Sequence, residues 1–123
     1  MKPEICDLRS ALEFLKSVPG QLVSTREPVD PVAELAGVYR LVGAGTPVAP
    51  PTRVGPAMLF ESVKGYDMPV VTGVLASRER TALLLGSTVE RLPFLLLDAL
   101  NHTQPPVTVA EAPCQEVVIR PPF

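Results

Sequence analysis

His102 is the only histidine in this chain of 123 residues, which also carries two cysteines, Cys6 and Cys114. Nucleophilic and metal chemistry is usually assembled from such side chains. A tetrahedral metal site would have to bring Cys or carboxylate ligands to His102 from distant positions, and no spaced cluster offers them. A Ser-His-Asp or Cys-His arrangement has the same single histidine to draw on, with no nucleophile elbow near it. His102 therefore reads as a polar residue at the C-terminus of a helix, where a cation suits the helix dipole. Cys6 precedes a helix N-terminus, a position that can lower a thiol pKa. Two thiols this far apart nevertheless read as free and reduced. Gly43-x-Gly45 has the wording of a dinucleotide loop, but such a loop follows a strand and opens a helix. Here it closes one. No Walker-type lysine motif is present. The Asn101-His102-Thr103 sequon is expected to be chance, since Glu4 and Asp7 make the N-terminus acidic within seven residues and no signal peptide is expected to begin there.

What remains is a set of cations. Arg78 and Arg80 flank Glu79 at the start of a helix, where positive charge opposes the dipole. That placement points to a partner, either an acidic surface or a second domain; a solvated polar first turn is the alternative. Arg53 in a proline-rich loop has the same standing. Lys64 lies in a tight turn. Arg53, Lys64, Arg78 and Arg80 are the candidate contacts to another domain, and no residue reads as catalytic, cofactor-binding or metal-binding.

Composition supports a scaffold. Apolar residues make up 46% of the chain against 5% aromatic with no Trp, so the core is aliphatic. A single domain of this size buries roughly two-thirds of the surface its unfolded form exposes. A formal net charge of −2 gives no attraction for nucleic acid or anionic membrane. No apolar run approaches the ~20 residues of a membrane span, and a cytoplasmic location is expected. Proline is the outlier, at 15 residues. The prolines gather in residues 47–56, 105–106 and 121–122, which can neither continue a helix nor sit in a central strand.

The elements follow in order. A helix over residues 8–18 is capped by Asp7, with Leu8, Ala11, Leu12, Leu15 and Val18 on one stripe. Residues 21–26 form a short strand. Asp30 as N-cap and Pro31 at the first helical position start a second helix. Its apolar face is Val32, Leu35, Ala36, Tyr39 and Val42, and Gly43 and Gly45 supply a left-handed exit. Residues 57–63 are a strand, 64–67 a turn, and 70–76 a covered strand whose Gly73 implies that another group comes close. Ser77 caps a third helix over 78–85, closed by Gly86. Ser87 and Glu90 have the spacing of a capping box, and the main fourth helix runs over 93–100. Residues 107–109 and 115–119 are extended. Strand, helix and strand over 21–63 make the first two strands parallel, and the short turn makes the next pair antiparallel. The fold class is α/β: a small mixed parallel and antiparallel sheet carrying about four helices.

The blocks DLRSALEFLK, the strand leading to VDP, the helix ELAGVYRLVGAG, then GPAMLFESVKGYDMPVV, ASRERTALLLG and APCQEVV, in that order, resemble the N-terminal domain of the UbiD family, the prenylated-flavin-dependent decarboxylases. VDPVAELAGVYR and PTRVGPAM resemble the branch acting on hydroxylated benzoates such as protocatechuate and gallate. The resemblance spans nearly the whole chain. It implies a longer parent in which a middle domain binds prenylated FMN with a divalent metal and potassium, and in which a glutamate–arginine–glutamate set moves protons. None of those motifs aligns with a residue here. The expectation is a supporting N-terminal domain, inactive alone, with the flavin-binding and C-terminal domains lacking. Its partners would be the remaining domains of a decarboxylase or a partner subunit, and an exposed apolar patch would favour self-association. The chain's uncapped end motivates the fragment reading. A free-standing accessory subunit derived from that domain is the alternative.

Overall fold

The computed structural model describes residues 4–44, 50, 55–112 and 115–122. Four helices and three strands occur among them: α1 Leu8–Ser17, β1 Leu22–Thr25, α2 Glu34–Tyr39, β2 Ala57–Phe60, β3 Val70–Thr72, α3 Arg78–Leu84 and α4 Leu92–Asn101.

α1 starts where its cap dictates. The Asp7 carboxylate accepts from the Ser10 backbone N–H at 2.7 Å, and the Ser10 hydroxyl accepts from the Asp7 N–H at 3.1 Å. Two orphan donors of the first turn are thereby satisfied reciprocally. The helix buries Ala11 and Leu15. The Ser10 N–H, then the Ser10 hydroxyl, hold the Asp7 carboxyl below its ordinary value of 3.8. A depressed folded pKa contributes stability above the ordinary pKa, and that contribution is lost as pH falls through the folded value. Asp7→Ala should therefore melt below the wild type at pH 7, with the gap closing by about pH 2. A gap in melting temperature that is the same at both pH values would show that the carboxylate is not the capping group.

The strands pair in the expected directions. β1 and β2 are parallel, with Leu22 opposite Ala57 and Thr25 opposite Phe60. β2 and β3 are antiparallel, with Met58 opposite Thr72 and Phe60 opposite Val70. β2 is thus central, and its Ala57, Met58 and Phe60 are buried. Around it Val29, Met58, Phe60 and Val63 form the core, flanked by Val23, Leu35, Val38, Tyr39, Val42 and Val70. Backbone bonds from Val29 N–H to Ser62 O (3.2 Å) and from Lys64 N–H to Val29 O (2.9 Å) carry the parallel pairing past β1 and β2.

The second helix departs from expectation. Asp30 closes a turn by accepting from the Val32 N–H at 2.8 Å, and Ala33 has φ 67°. The α-helix begins only at Glu34, whose carboxylate takes the Asp30 N–H at 2.6 Å. This delay rotates the apolar face. Leu35, Tyr39 and Val42 pack on the core as expected and Val38 joins them, whereas Val32 is 80% exposed and Ala36 also faces out. The helix then widens into a π-turn, Arg40–Ala44, where Gly43 has φ 172°. That is extended backbone rather than a left-handed exit, and Gly45 lies outside the described residues.

β3 is shorter than the apolar run suggests. Gly73 takes φ +72° and ends it, with the Tyr39 ring against the glycine face. Ser77 caps α3 by accepting from the Arg80 N–H at 3.3 Å. Gly86, at φ 63°, closes α3, and bonds from Gly86 N–H to Leu83 O and from Ser87 N–H to Ala82 O satisfy its last carbonyls. Ser87 and Glu90 do not form a capping box: the Glu90 carboxyl is held low by its own backbone N–H and then by the Thr88 hydroxyl. Residues 107–109 and 115–119 join no sheet and stay exposed.

Candidate functional site

Arg80 is the one buried charged side chain among the described residues, with 0% exposure. Its Nε–H donates to Val74 O at 3.0 Å. Nη1 donates to Gln21 O at 3.3 Å and lies 3.4 Å from Gln21 Oε1, while Nη2 donates to Gly55 O at 2.8 Å. One planar fork thus ties the entry to β1, the approach to β2 and the β3–α3 connection. A guanidinium suits this work, with five donors in a fixed plane and weak hydration for a cation. Burial pulls its pKa below the usual arginine value, and Tyr39 and then Glu79 oppose that shift. Its acceptors among the described residues are all neutral oxygens, so the arrangement is a structural clamp.

This corrects one expectation. Arg80 does not reach towards another domain, because its guanidinium is sealed inside this one. The same helix start divides its charges by direction: Arg78 is exposed while Arg80 turns in. Glu79 is also exposed, and its carboxyl is held low first by its own backbone N–H and then by the Ser77 hydroxyl, 2.8 Å from Oε2. Lys64 pairs with Glu34 at 3.6 Å on the surface beside α2, both about half exposed. No hydrogen bond or ion pair among the described residues joins Lys64, Arg78 and Arg80 into one cluster. Arg53 lies outside the described residues, as does Cys114.

His102 sits at the end of α4, its Nδ1 2.9 Å from Asp98 O and 3.2 Å from Asp98 Oδ1. Cys6 is exposed, with Sγ 3.9 Å from the Ser10 hydroxyl. No group of three or more His, Cys, Asp or Glu among the described residues could hold a metal ion. None of the described helices is long and apolar enough to cross a membrane.

A second feature escaped the reading of the sequence. Between the end of α3 and α4 lies an open groove of about 610 Å³. Leu85, Gly86, Ser87 and Thr88 form one side, and Arg91, Phe94, Leu95 and Asp98 of α4 form the other. α4 buries no residue; Phe94 and Leu100 are each 74% exposed. A helix apolar on nearly every side normally lies within a protein interior. The signal was present as Arg91 and Asp98, seven residues apart around Phe94 and Leu95.

The fold and its sequence define a class. Residues 13–100 match the UbiD N-terminal family, described as the 3-octaprenyl-4-hydroxybenzoate carboxy-lyase N-terminal domain, and the chain belongs to that family. Among relatives, the gallate decarboxylase of Lactiplantibacillus plantarum is 44% identical over 117 residues, covering 93% of this chain and 24% of the relative. The apo 3,4-dihydroxybenzoic acid decarboxylase of Enterobacter cloacae is 52% identical with a TM-score of 0.76, over 85% of this chain and 22% of that one. An evolved dimeric form of the UbiD-class enzyme HmfF from Pelotomaculum thermopropionicum, solved in complex with prFMN, is 34% identical with a TM-score of 0.65, over 79% of this chain and 20% of that one. The chain spans about a quarter of the length of the curated relatives it matches.

Proposed function

We propose that this chain acts as the N-terminal supporting domain of a reversible, non-oxidative decarboxylase of hydroxybenzoate-type aromatic acids. The observation that carries the reading is the 44% identity to a gallate decarboxylase over 93% of the chain. In a whole enzyme of this kind, prenylated FMN with a divalent metal and potassium supplies the chemistry that releases carbon dioxide from the aryl acid. The described residues do not fit that cofactor. Arg80, the one buried cation among the described residues, is committed to carbonyls of its own domain, and the groove beside α4 pairs one arginine with one carboxylate. No step is therefore assigned to these side chains. Their work is to hold a three-stranded sheet whose exposed apolar elements, the Leu96, Leu97 and Leu100 side of α4 among them, support the domain that carries the flavin. Lys64 and Arg78 are exposed and remain the proposed charged contacts to it, with Arg53 in the same role. We place the domain in the cytoplasm, in keeping with its free cysteine and the lack of a spanning helix among the described residues.

The test is a segment exchange. Substituting this chain for the matching quarter of the L. plantarum gallate decarboxylase should yield an enzyme that still releases CO2 from gallate. The isolated chain, mixed with prenylated FMN and gallate, should release none and show no bound-flavin absorption. Decarboxylation by the isolated chain, or tight flavin binding by it, would overturn the assignment; so would a folded exchange protein that binds flavin but is inactive.

A further inference from the structure

We propose that the Arg91, Phe94, Leu95 and Asp98 face of α4 is a self-complementary surface on which a second copy of this chain lays its own α4 antiparallel. The inference stands independently of the decarboxylase reading. These four residues follow helical spacing i, i+3, i+4, i+7 and line one side of the same groove, so they share one face. Arg91 and Asp98 are separated by about 10 Å along the axis. Turning a second α4 about a two-fold axis midway between positions 94 and 95 sets each Arg91 opposite the other copy's Asp98. The same rotation sets Phe94 against Leu95 on both sides of the axis. Two ion pairs then bracket an apolar centre, which is the isologous pattern expected of a symmetric dimer.

The charge order along α4 favours this occupant. Arg91 stands at the N-cap position and Asp98 in the last turn, so each opposes the dipole of its own helix. Arg91 has no ion-pair partner among the described residues. Asp98 has only the His102 ring, which is charged only when protonated. An antiparallel copy reverses both relations, because each charge then faces an opposite charge and the opposite end of a neighbouring dipole. The groove of about 610 Å³ beside Leu85 leaves room for the second copy's Phe94.

Charge exchange tests the geometry. Arg91→Asp makes the face wholly acidic and Asp98→Arg makes it wholly basic. Both changes suit the dipole of α4, so helix content by circular dichroism should hold. In sedimentation equilibrium the wild-type chain should dimerise, and each single variant should dimerise about tenfold or more weakly. An equimolar mixture of the two single variants should form heterodimers of near wild-type affinity, and the double exchange within one chain should restore the homodimer. Three results would overturn the proposal: a wild-type chain that stays monomeric, single variants that associate as tightly as wild type, or a mixture that fails to recover. Undiminished association of the single variants would assign self-contact to the opposite Leu96, Leu97 and Leu100 side of the helix.

Discussion

Arg80→Ala is expected to lower the unfolding free energy by about 3 kcal/mol or more, the scale of removing one partner from a buried charged network. The side chain has no exposure and spans three segments, with Gln21 lying 59 positions away in the sequence. Its loss would not strand every acceptor equally. Gln21 O keeps the Ala57 N–H at 2.9 Å, so the parallel pairing survives there. Val74 O loses its one donor among the described residues, and a part-buried carbonyl without a donor costs up to about 1–3 kcal/mol. The vacated volume adds a cavity term, while removing a buried charge gives back part of the desolvation cost. Arg80→Lys should rescue little, because one ammonium cannot reach Val74, Gln21 and Gly55 in three directions. Urea unfolding of both variants measures this directly. A loss below about 1 kcal/mol for Arg80→Ala would mean that the clamp contributes little beyond packing.

Gly73→Ala should be comparably damaging, at roughly 2–5 kcal/mol, for a different reason. A Cβ built on Gly73 would stand 2.1 Å from the Tyr39 hydroxyl oxygen and 2.6 Å from Cζ of the ring. Real Cβ atoms do not approach that closely, so the ring must leave. Tyr39 packs against the core, and displacing it carries an overpacking cost of about 1–3 kcal/mol. The φ of +72° adds the left-handed penalty of an L-residue, about 1–2 kcal/mol. The two causes separate in a double-mutant cycle with Tyr39→Ala. In that background Gly73→Ala should cost only the backbone part. Equal costs in both backgrounds would remove the ring from the explanation.

These two positions differ in how far the residues alone disclosed them. A glycine within an apolar strand run signals a close approach, and the Tyr39 ring against Gly73 is that approach. Arg80 carried the opposite signal, since a cation in the first turn of a helix reads as solvated or as reaching for an outside partner. Nothing local tells that its fork will meet carbonyls from Val74, Gln21 and Gly55. The second helix shows an intermediate case. The Asp30 and Pro31 pair reads as the cap and first residue of a helix, but a turn consumes three residues before the helix begins at Glu34. That shift moved Val32 and Ala36 off the packed face and brought Val38 onto it.

Short-range regularities were thus readable in advance: the Asp7 and Ser77 caps, the closure at Gly86, the parallel then antiparallel order of three strands, and the ordered blocks that mark the UbiD N-terminal family. Each depends on neighbours within a few residues or on a connection of known length, so the chain declares it locally. The tertiary structure alone decided which arginine turns inward, where the second helix begins to face the core, and that α4 stands with apolar sides uncovered. Those outcomes depend on which distant oxygens and side chains converge at one point in space, and the identity of a residue and its immediate neighbours does not encode that convergence.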